Sequence, residues 1–247
     1  MGDWHEDDAF WEDFAPTFDE RLERAEIEAE EIANLLALAP PAKVLDLPCG
    51  VGRHTLALAR RGYAVTGIDR SDRYLSTARA RAREAGIEAC FERGDLRDAG
   101  DEAAFDAVIN LWTSFGYFRD PAEDARAARN FLRVLRPGGA LVMELMGKEV
   151  LARVFRARDW KEGADGTICL TETEILDGWT WVRTRWEYLA REWRRRHVVE
   201  HRVYSFAELR AVLEGAGFVG VEGFGSLGGA PYDHQASRLV VRACRPG

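Results

Sequence analysis

Four polar residues in the first half of the chain stand where successive strands are predicted to end. Asp46 lies within VLDLPCGVGRH, Asp69 ends YAVTGID, Asp95 lies in ERGDLRD and Asn110 ends FDAVIN. The carboxyl ends of parallel strands meet at one edge of a sheet, where open α/β sheets bind their ligands. One such Asp is as readily explained as a helix N-cap. The set of four instead indicates a site for a ligand that presents hydroxyl and amino groups to carboxylates.

Glycines occupy the turn between the first predicted strand and the helix that follows it. Gly50 and Gly52 let the backbone approach a ligand closely, and the next helix offers free N–H groups to an anion. A GxG in this place suits NAD, FAD or S-adenosylmethionine (SAM). The dinucleotide fingerprint needs GxGxxG, and Thr55 stands at its third glycine. A pyrophosphate-containing ligand is therefore disfavoured.

Short apolar runs alternate with segments of helical spacing over residues 43–145, which predicts βαβ units and a parallel sheet covered on both faces. The predicted strands are Lys43–Leu47, Tyr63–Ile68, Ile87–Glu92, Phe105–Leu111 and Ala140–Leu145, and the predicted helices are Arg53–Arg61, Asp72–Glu84 and Pro121–Leu135. Helical spacing also runs through residues 8–38. Pro16 interrupts it, so we expect two pieces, the second near residues 19–38.

Residues 150–204 change in character, because aromatic-rich segments there alternate with period two. Strands are predicted at Thr167–Ile175, Thr180–Leu189 and Trp193–Tyr204, with Asp177-Gly178 as a hairpin signal between the first two. This pattern predicts an antiparallel β insertion. A helix then begins at Ser205 with Glu208 completing a capping box, followed by strands at Phe218–Phe224 and Arg238–Ala243.

Taken together, these segments resemble class I SAM-dependent methyltransferases of the small-molecule branch. The matching pieces are VLDLPCGVGRH, YAVTGIDRS, GDLRD, FDAVINLWTSFGYF, LRPGGALVMEL and ELRAVLEGAGF. The resemblance implies a Rossmann-like, seven-stranded, mostly parallel sheet with helices on both faces, its last strand antiparallel between its neighbours. It also implies an antiparallel β insertion after strand 5. The chain departs from the family at Pro48, where the first loop glycine usually stands.

On this basis we expect a single methyltransferase domain over 1–247. Residues 1–40 would form a helical lid, 41–149 the SAM-binding core, 150–204 a substrate cap, and 205–247 the last helix with strands 6 and 7.

The resemblance further implies that SAM lies along the ends of strands 1–4. Asp69 would accept from the ribose hydroxyls, Asp95 from the adenine amino group, and Arg53 would pair with the SAM carboxylate. Aromatic residues of the lid, including Phe18, would close over the cofactor, although their spacing equally suits an ordinary packed amphipathic helix. The implied cofactor contacts are Trp11, Phe14, Asp46, Cys49, Gly50, Gly52, Arg53, Asp69, Arg70, Tyr74, Asp95, Leu96, Asn110, Leu111 and Trp112.

The acceptor pocket is expected between the aromatic segment after the fourth strand and the β insertion. His201 or Tyr117 is the candidate general base, and Arg183 or Arg185 would bind an acceptor carboxylate. The alternative for the two arginines is a solvated face of the antiparallel sheet. The candidate acceptor-binding residues are Ser114, Tyr117, Arg183, Arg185, His201 and Tyr232.

The sequence thus predicts transfer of a methyl group from SAM to an N or O nucleophile of a small molecule by in-line displacement, leaving S-adenosylhomocysteine. A SAM-binding protein without transfer activity is the alternative. A NAD-dependent dehydrogenase is a third possibility, disfavoured by the missing third glycine.

The composition limits the classes of partner that we expect this chain to bind. The net charge is −8, yet residues 1–32 carry thirteen acids and two bases, so the remaining chain is slightly basic. We expect no nucleic-acid partner, because no basic stripe stands out. With no membrane-length apolar run and no secretory leader, we expect a cytoplasmic protein that does not bind membranes. We separately expect it to be a monomer or a homodimer. The scattered Cys49, Cys90, Cys169 and Cys244 form no ligand cluster, so no metal is expected.

Overall fold

The computed structural model describes residues 4–14, 22–163 and 165–247. The strands are β1 Lys43–Asp46, β2 Ala64–Asp69, β3 Cys90–Arg93, β4 Phe105–Asn110, β5 Leu135–Leu145, β6 Arg158–Glu162, β7 Ile168–Leu176, β8 Trp181–Leu189, β9 Arg194–Arg202, β10 Val219–Phe224 and β11 Leu239–Cys244. The α-helices are α1 Asp8–Phe14, α2 Ala25–Leu36, α3 Arg53–Arg60, α4 Asp72–Glu84, α5 Pro121–Val134, α6 Lys148–Val154 and α7 Phe206–Ala216. Pro16, Phe18 and the expected start of the second helix near residue 19 lie outside the described residues.

The larger sheet has seven strands in the order β10-β11-β5-β4-β1-β2-β3. Strands β1 to β5 run parallel, whereas β11 is antiparallel to both of its neighbours, β5 and β10. This confirms the Rossmann-like fold with its reversed last strand. The strand order also changes direction between β1 and β4, which leaves a crevice at their carboxyl ends.

Two apolar layers cover the faces of this sheet. Val108 of β4 faces α5 and α7, where Phe131 and Leu213 are buried. The next residue, Ile109, faces α2 and α3 and packs in the cluster of Ile32. Successive residues of β4 therefore point into opposite layers, as expected for a strand buried on both sides.

The predicted insertion is a separate antiparallel sheet in the order β6-β7-β8-β9. The chain turns between β7 and β8 at Asp177 and Gly178, both in left-handed backbone conformation, as the hairpin signal predicted. The short helix α6 and strand β6 were not predicted. Strand β6 reads RDWKE and is exposed throughout, so it lacks the apolar alternation that reveals a strand.

The cap of α7 confirms a local sequence signal. The Glu208 amide donates to the Ser205 hydroxyl at 3.2 Å, and the Ser205 amide donates to the Glu208 carboxylate at 2.8 Å. Among the described residues, no helix is long and apolar enough to cross a membrane.

Candidate functional site

A cavity opens at the carboxyl ends of β1 to β4, where the amino-terminal segment and the four-stranded sheet cover it. The loops after the four strands supply one side, at 48–54, 69–74, 94–96 and 111–118. The amino-terminal segment and strands β8 and β9 supply the other side. The described residues that line it are Trp4, His5, Phe10, Trp11, Phe14, Pro48, Cys49, Gly50, Val51, Arg53, His54, Asp69, Arg70, Ser71, Tyr74, Gly94, Asp95, Leu96, Leu111, Trp112, Thr113, Ser114, Tyr117, Phe118, Trp186, Val199 and His201.

Asp69 is fixed at the cavity wall by main-chain amides. Its two carboxylate oxygens accept from the Gly50 amide at 2.8 Å and from the Ser71 amide at 2.9 Å. Burial raises the pKa of Asp69, while these hydrogen bonds and Arg70 act in the opposite direction. Gly50 has a φ of +54°, so a residue without a Cβ suits the turn that delivers its amide.

Three of the expected cofactor contacts, Asp46, Gly52 and Asn110, lie behind the lining residues. Burial raises the pKa of Asp46 to about 6, and its carboxylate accepts from the Thr55 hydroxyl at 2.6 Å. Thr55, which stands where the dinucleotide fingerprint has its third glycine, thus holds the Asp46 carboxylate in place. A Cβ on Gly52 would come within 2.9 Å of the Ala78 Cβ, so this glycine allows α4 to pack closely.

Asn110 connects two of the loops from beneath. Its amide nitrogen donates to the Leu47 carbonyl at 2.8 Å and to the Ser114 carbonyl at 3.3 Å. Fully buried at the end of β4, it fixes the loop after β1 against the loop after β4.

A buried ion-pair network, not anticipated from the sequence, supports the glycine-rich loop. Glu28 of α2 accepts from Arg53 at 2.5 Å and from the His54 Nε2 at 2.8 Å. The Arg53 guanidinium also lies 4.7 Å from the centre of the Trp112 ring, a cation–π contact. Burial works to raise the pKa of Glu28, but His54 and Arg53 together hold it below its usual value. The residue expected to bind the SAM carboxylate is therefore oriented by a carboxylate of this chain.

Asp95 also lines the cavity, and Arg97 already pairs with it. Its carboxylate accepts from the Arg97 amide at 2.9 Å and from two guanidinium nitrogens at 2.8 Å. Burial works to raise the pKa of Asp95, and the contacts with Arg97 lower it overall. A carboxylate offers about four acceptor positions, so capacity for a further donor remains.

The turn after β4 is strained. Trp112 and Thr113 have φ values of +63° and +58°, which non-glycine residues rarely adopt. Glu144 of β5 stabilises the turn: its side chain accepts from the Trp112 amide at 3.2 Å and its carbonyl from the Thr113 amide at 2.9 Å. The unusual backbone presents the Trp112 ring to Arg53.

Residues 4–14 cover the cavity and contact both of its sides. The Tyr74 hydroxyl donates to the Trp11 carbonyl at 2.5 Å, and Trp4 donates through its indole to the Glu200 carbonyl at 2.5 Å. Asp13 of α1 accepts from the His197 Nε2 at 2.7 Å and pairs with Arg195 of β9. This segment therefore bridges the loops that follow β1 to β4 and the β insertion.

His201, Tyr117 and Trp186 all line the cavity, His201 from β9, Trp186 from β8 and Tyr117 from the segment after β4. Burial lowers the pKa of His201 to about 4, so its imidazole is neutral at neutral pH. Burial also raises the pKa of Tyr117 well above its usual value, so the phenol keeps its proton. Tyr117 packs against Trp4 with 4.7 Å between ring centres. The Trp186 indole nitrogen is buried without a hydrogen-bond partner among the described residues.

Three candidate acceptor-binding residues lie outside the cavity lining. Arg183 donates to Glu200 at 2.5 Å, and Arg185 donates to Glu174 at 2.6 Å, both across the face of the four-stranded sheet. Their surroundings therefore match the alternative of a solvated sheet face. Tyr232 donates to Glu149 at 2.8 Å. The described residues provide no cluster of three or more His, Cys, Asp or Glu arranged to hold a metal ion.

Sequence reasoning missed Glu28 and the turn residues Trp4, His5 and Thr113. Glu28 is one acid among several on α2, and only the packing of α2 on α3 distinguishes it. Trp4 and His5 precede α1 in a short 3₁₀ turn, outside any helical pattern. The aromatic side chains of Trp4 and His5 could have indicated a place at the cavity, whereas their spacing fits no helical pattern.

Comparison with known proteins matches residues 44–139 to a family described as a methyltransferase domain. The putative methyltransferase YqeM of Bacillus subtilis is 30% identical over 146 residues, 59% of this chain and 59% of that protein. The dTDP-3-amino-3,4,6-trideoxy-alpha-D-glucopyranose N,N-dimethyltransferase of Streptomyces venezuelae is 32% identical over 119 residues, 47% of this chain and 48% of that protein. The matches thus span about half the length of these relatives.

Solved structures share the architecture over almost the whole chain. A S-adenosylmethionine-dependent methyltransferase from Clostridium acetobutylicum superposes with a TM-score of 0.79 at 17% identity, covering 96% of this chain and 99% of that one. Streptomyces venezuelae DesVI gives a TM-score of 0.71 at 24% identity, covering 98% and 99%. At these identities the likeness shows the fold.

Proposed function

We propose that this chain, whose residues 44–139 match a family described as a methyltransferase domain, is a SAM-dependent methyltransferase acting on a nitrogen or oxygen nucleophile of a small molecule. The observation that carries the proposal is the Asp69 carboxylate, held by the Gly50 amide at the ends of the parallel strands. A carboxylate in that place suits the two hydroxyls of a ribose.

The residues around the cavity fit SAM in their chemistry. Asp69 would hold the ribose and Asp95, with its remaining acceptor capacity, the adenine amino group. Leu96 and Tyr74 offer apolar surface beside the base. Arg53 would hold the carboxylate, sharing its charge between that group and Glu28.

Bound SAM supplies a methyl group already activated by its sulfonium, so the work left to the chain is alignment and exclusion of water. Residues 4–14 line one side of the cavity and would limit the access of bulk solvent to it. The strained turn at Trp112 and Thr113, held by Glu144, fixes the wall between the cofactor side and the acceptor side.

The acceptor side favours a small, uncharged reacting group. None of the described lining residues at 111–118, on β8 or on β9 carries a charge at neutral pH, because His201 is neutral there. Neutral His201 accepts a proton but, with a pKa of about 4, is a weak base. The weak basicity of His201 suits an amine acceptor better than an aliphatic hydroxyl acceptor. An uncharged amine attacks without prior deprotonation, and the ammonium formed then loses its proton readily.

Among the curated relatives, several carry names of N-methyltransferases, including one acting on an amino sugar and one on glycine, while another is named a ubiquinone biosynthesis O-methyltransferase. We therefore propose amines as the first acceptor class to be tested. Tyr117 would orient the acceptor as a hydrogen-bond donor.

The test is transfer of a labelled methyl group from SAM to a panel of small amines and hydroxyl compounds. Asp69→Asn keeps the shape but removes the charge, and we expect SAM affinity to fall by roughly tenfold or more, about 1.5–3 kcal/mol. Asp72→Asn, an exposed residue at the start of α4, is the matched control and should bind SAM normally. Tight SAM binding without transfer to any acceptor would instead identify a SAM-binding protein, and unchanged binding by Asp69→Asn would refute the ribose assignment.

A further inference from the structure

Strand β6 is an edge of the four-stranded sheet. Strand β7 lies on one side of it, and within the part of the chain that the structure describes no strand lies on the other. All five residues of Arg158–Glu162 are exposed, and the large apolar side chain of Trp160 at their centre is 62% exposed. An exposed edge with a central tryptophan is a surface suited to further strand pairing.

Alternate residues of β6 direct their main-chain N–H and C=O groups towards that open side. The Ala157 carbonyl accepts from the Thr173 amide at 2.8 Å, and the Gly163 amide donates to the Thr167 carbonyl at 2.8 Å. In an antiparallel ladder the residues that exchange hydrogen bonds with a neighbour alternate. The odd-numbered residues therefore bond to β7, and residues 158, 160 and 162 direct their amides and carbonyls outward. The Trp160 amide accordingly donates to the Asp159 side chain at 3.0 Å, not to β7.

The order of charges along β6 is self-complementary. The strand reads Arg-Asp-Trp-Lys-Glu. If a second copy lies antiparallel with Trp160 opposite Trp160, Arg158 stands opposite Glu162 and Asp159 opposite Lys161. Both pairs have opposite charge, and each pair recurs across the two-fold axis.

We propose that β6 is a dimerisation edge that pairs antiparallel with β6 of a second copy, about a two-fold axis at Trp160. The outward residues 158, 160 and 162 would face each other in this register and exchange main-chain hydrogen bonds. The two four-stranded sheets become one continuous sheet, and the two Trp160 rings cover each other. This inference concerns assembly and does not rest on the proposed methyl transfer.

The pattern differs from the usual protection of an edge strand. Charges on an edge discourage pairing when like charges meet or when a charge faces an apolar surface. Here, antiparallel self-pairing in this register brings every charge to its opposite. The exposed tryptophan at the centre would serve no protective purpose.

The test is sedimentation of the full chain over a range of concentrations, with charge-reversal variants. Arg158→Glu places two like-charge pairs across the axis and should weaken the dimer about tenfold or more. Adding Glu162→Arg restores opposite charges with the order exchanged, so the double variant should dimerise again. Glu172→Gln is the control, because Glu172 is the neighbour of Arg158 within the sheet at 3.0 Å and lies away from the edge. It should leave the dimer intact.

The ion pair between Arg158 and Glu172 is lost in both the single and the double variant. Its loss therefore cannot explain why the double variant dimerises again. A wild-type chain that remains monomeric at high concentration would overturn the proposal. So would equal dimerisation of wild type and Arg158→Glu, since that places the interface elsewhere, and so would a double variant as monomeric as Arg158→Glu. Circular dichroism and SAM binding of each variant verify folding independently of any transfer activity.

Discussion

At the scale of single residues, Glu28 illustrates how a carboxylate far from the sequence motif controls it. Its side chain is 10% exposed and neutralises Arg53, whose side chain is 4% exposed. Removing one partner of a buried ion pair leaves the other charge without compensation, which is far more costly than losing a surface pair. Glu26, on the same helix, pairs with Arg60 near the surface and provides the contrast.

We therefore expect Glu28→Gln to lower the free energy of unfolding by about 3 kcal/mol. Glu26→Gln should lower it by less than about 1 kcal/mol, because exposed pairs contribute little. Urea denaturation of the two variants measures the difference. Saturating SAM should recover part of the loss in Glu28→Gln, since its carboxylate would balance Arg53. Equal losses in the two variants would contradict the role assigned to Glu28.

The pH dependence of this pair follows from the direction of the shift. The pKa of Glu28 in the fold lies below its ordinary value of 4.5. The pair's contribution to stability is therefore complete above that ordinary value and is lost as the pH falls through the folded-state pKa.

His201 should titrate far from the usual histidine range. We expect its ring proton resonances to move with a midpoint near pH 4 in the folded protein, because burial disfavours the imidazolium. Nuclear magnetic resonance measures the midpoint, and His201→Gln assigns the signal by removing it. The unfolded chain binds this proton near pH 6.5, so the His201 contribution to stability is full above that pH and declines towards pH 4. A midpoint near 6.5 in the native protein would show that the ring is solvated.

At the scale of elements, the sequence predicted structure best where a single local rule decides. Helix α4 was predicted with its observed bounds, and α7 with its capping box at Ser205. Strand β6 was missed, because its stability comes from pairing with β7 and not from its own composition. Position along a strand predicted Asp69 and Asp95 at the cavity, but only tertiary packing reveals that Arg183 and Arg185 are neutralised by glutamates.

Helix α1 should be held more firmly to β9 than to α4. The Asp13 side chain is 4% exposed beside His197 and Arg195, whereas Glu12 pairs with Arg73 at an exposed position. Asp13→Asn should increase the opening of α1 about fivefold, roughly 1 kcal/mol. Glu12→Gln should change it less than twofold. Amide hydrogen exchange of residues 8–14 measures both, and a larger effect in Glu12→Gln would reverse the assignment.

At the scale of the whole molecule, the uneven charge of the chain helps to explain how the amino-terminal segment packs on the rest of the protein. Residues 1–32 hold the acidic excess, and the remaining residues are slightly basic. The described acids of this segment contact bases on several elements: Glu28 meets Arg53 of α3, Glu12 meets Arg73 of α4 and Asp13 meets Arg195 of β9. Attraction between oppositely charged parts therefore assists closure of the cavity, alongside aromatic packing.

These two contributions respond differently to salt, which separates them. Raising sodium chloride from 0.1 to 1 M shortens the screening length from about 10 to about 3 Å, so exposed pairs such as Glu12–Arg73 weaken. Contacts between rings, such as Phe14 on Trp186 at 5.7 Å between centres, persist. We expect amide exchange of residues 4–14 to accelerate a few-fold, while amides of β4 keep their protection. An unchanged rate in high salt would mean that aromatic packing alone holds the segment. A loss of all its protection would mean that charge alone does so.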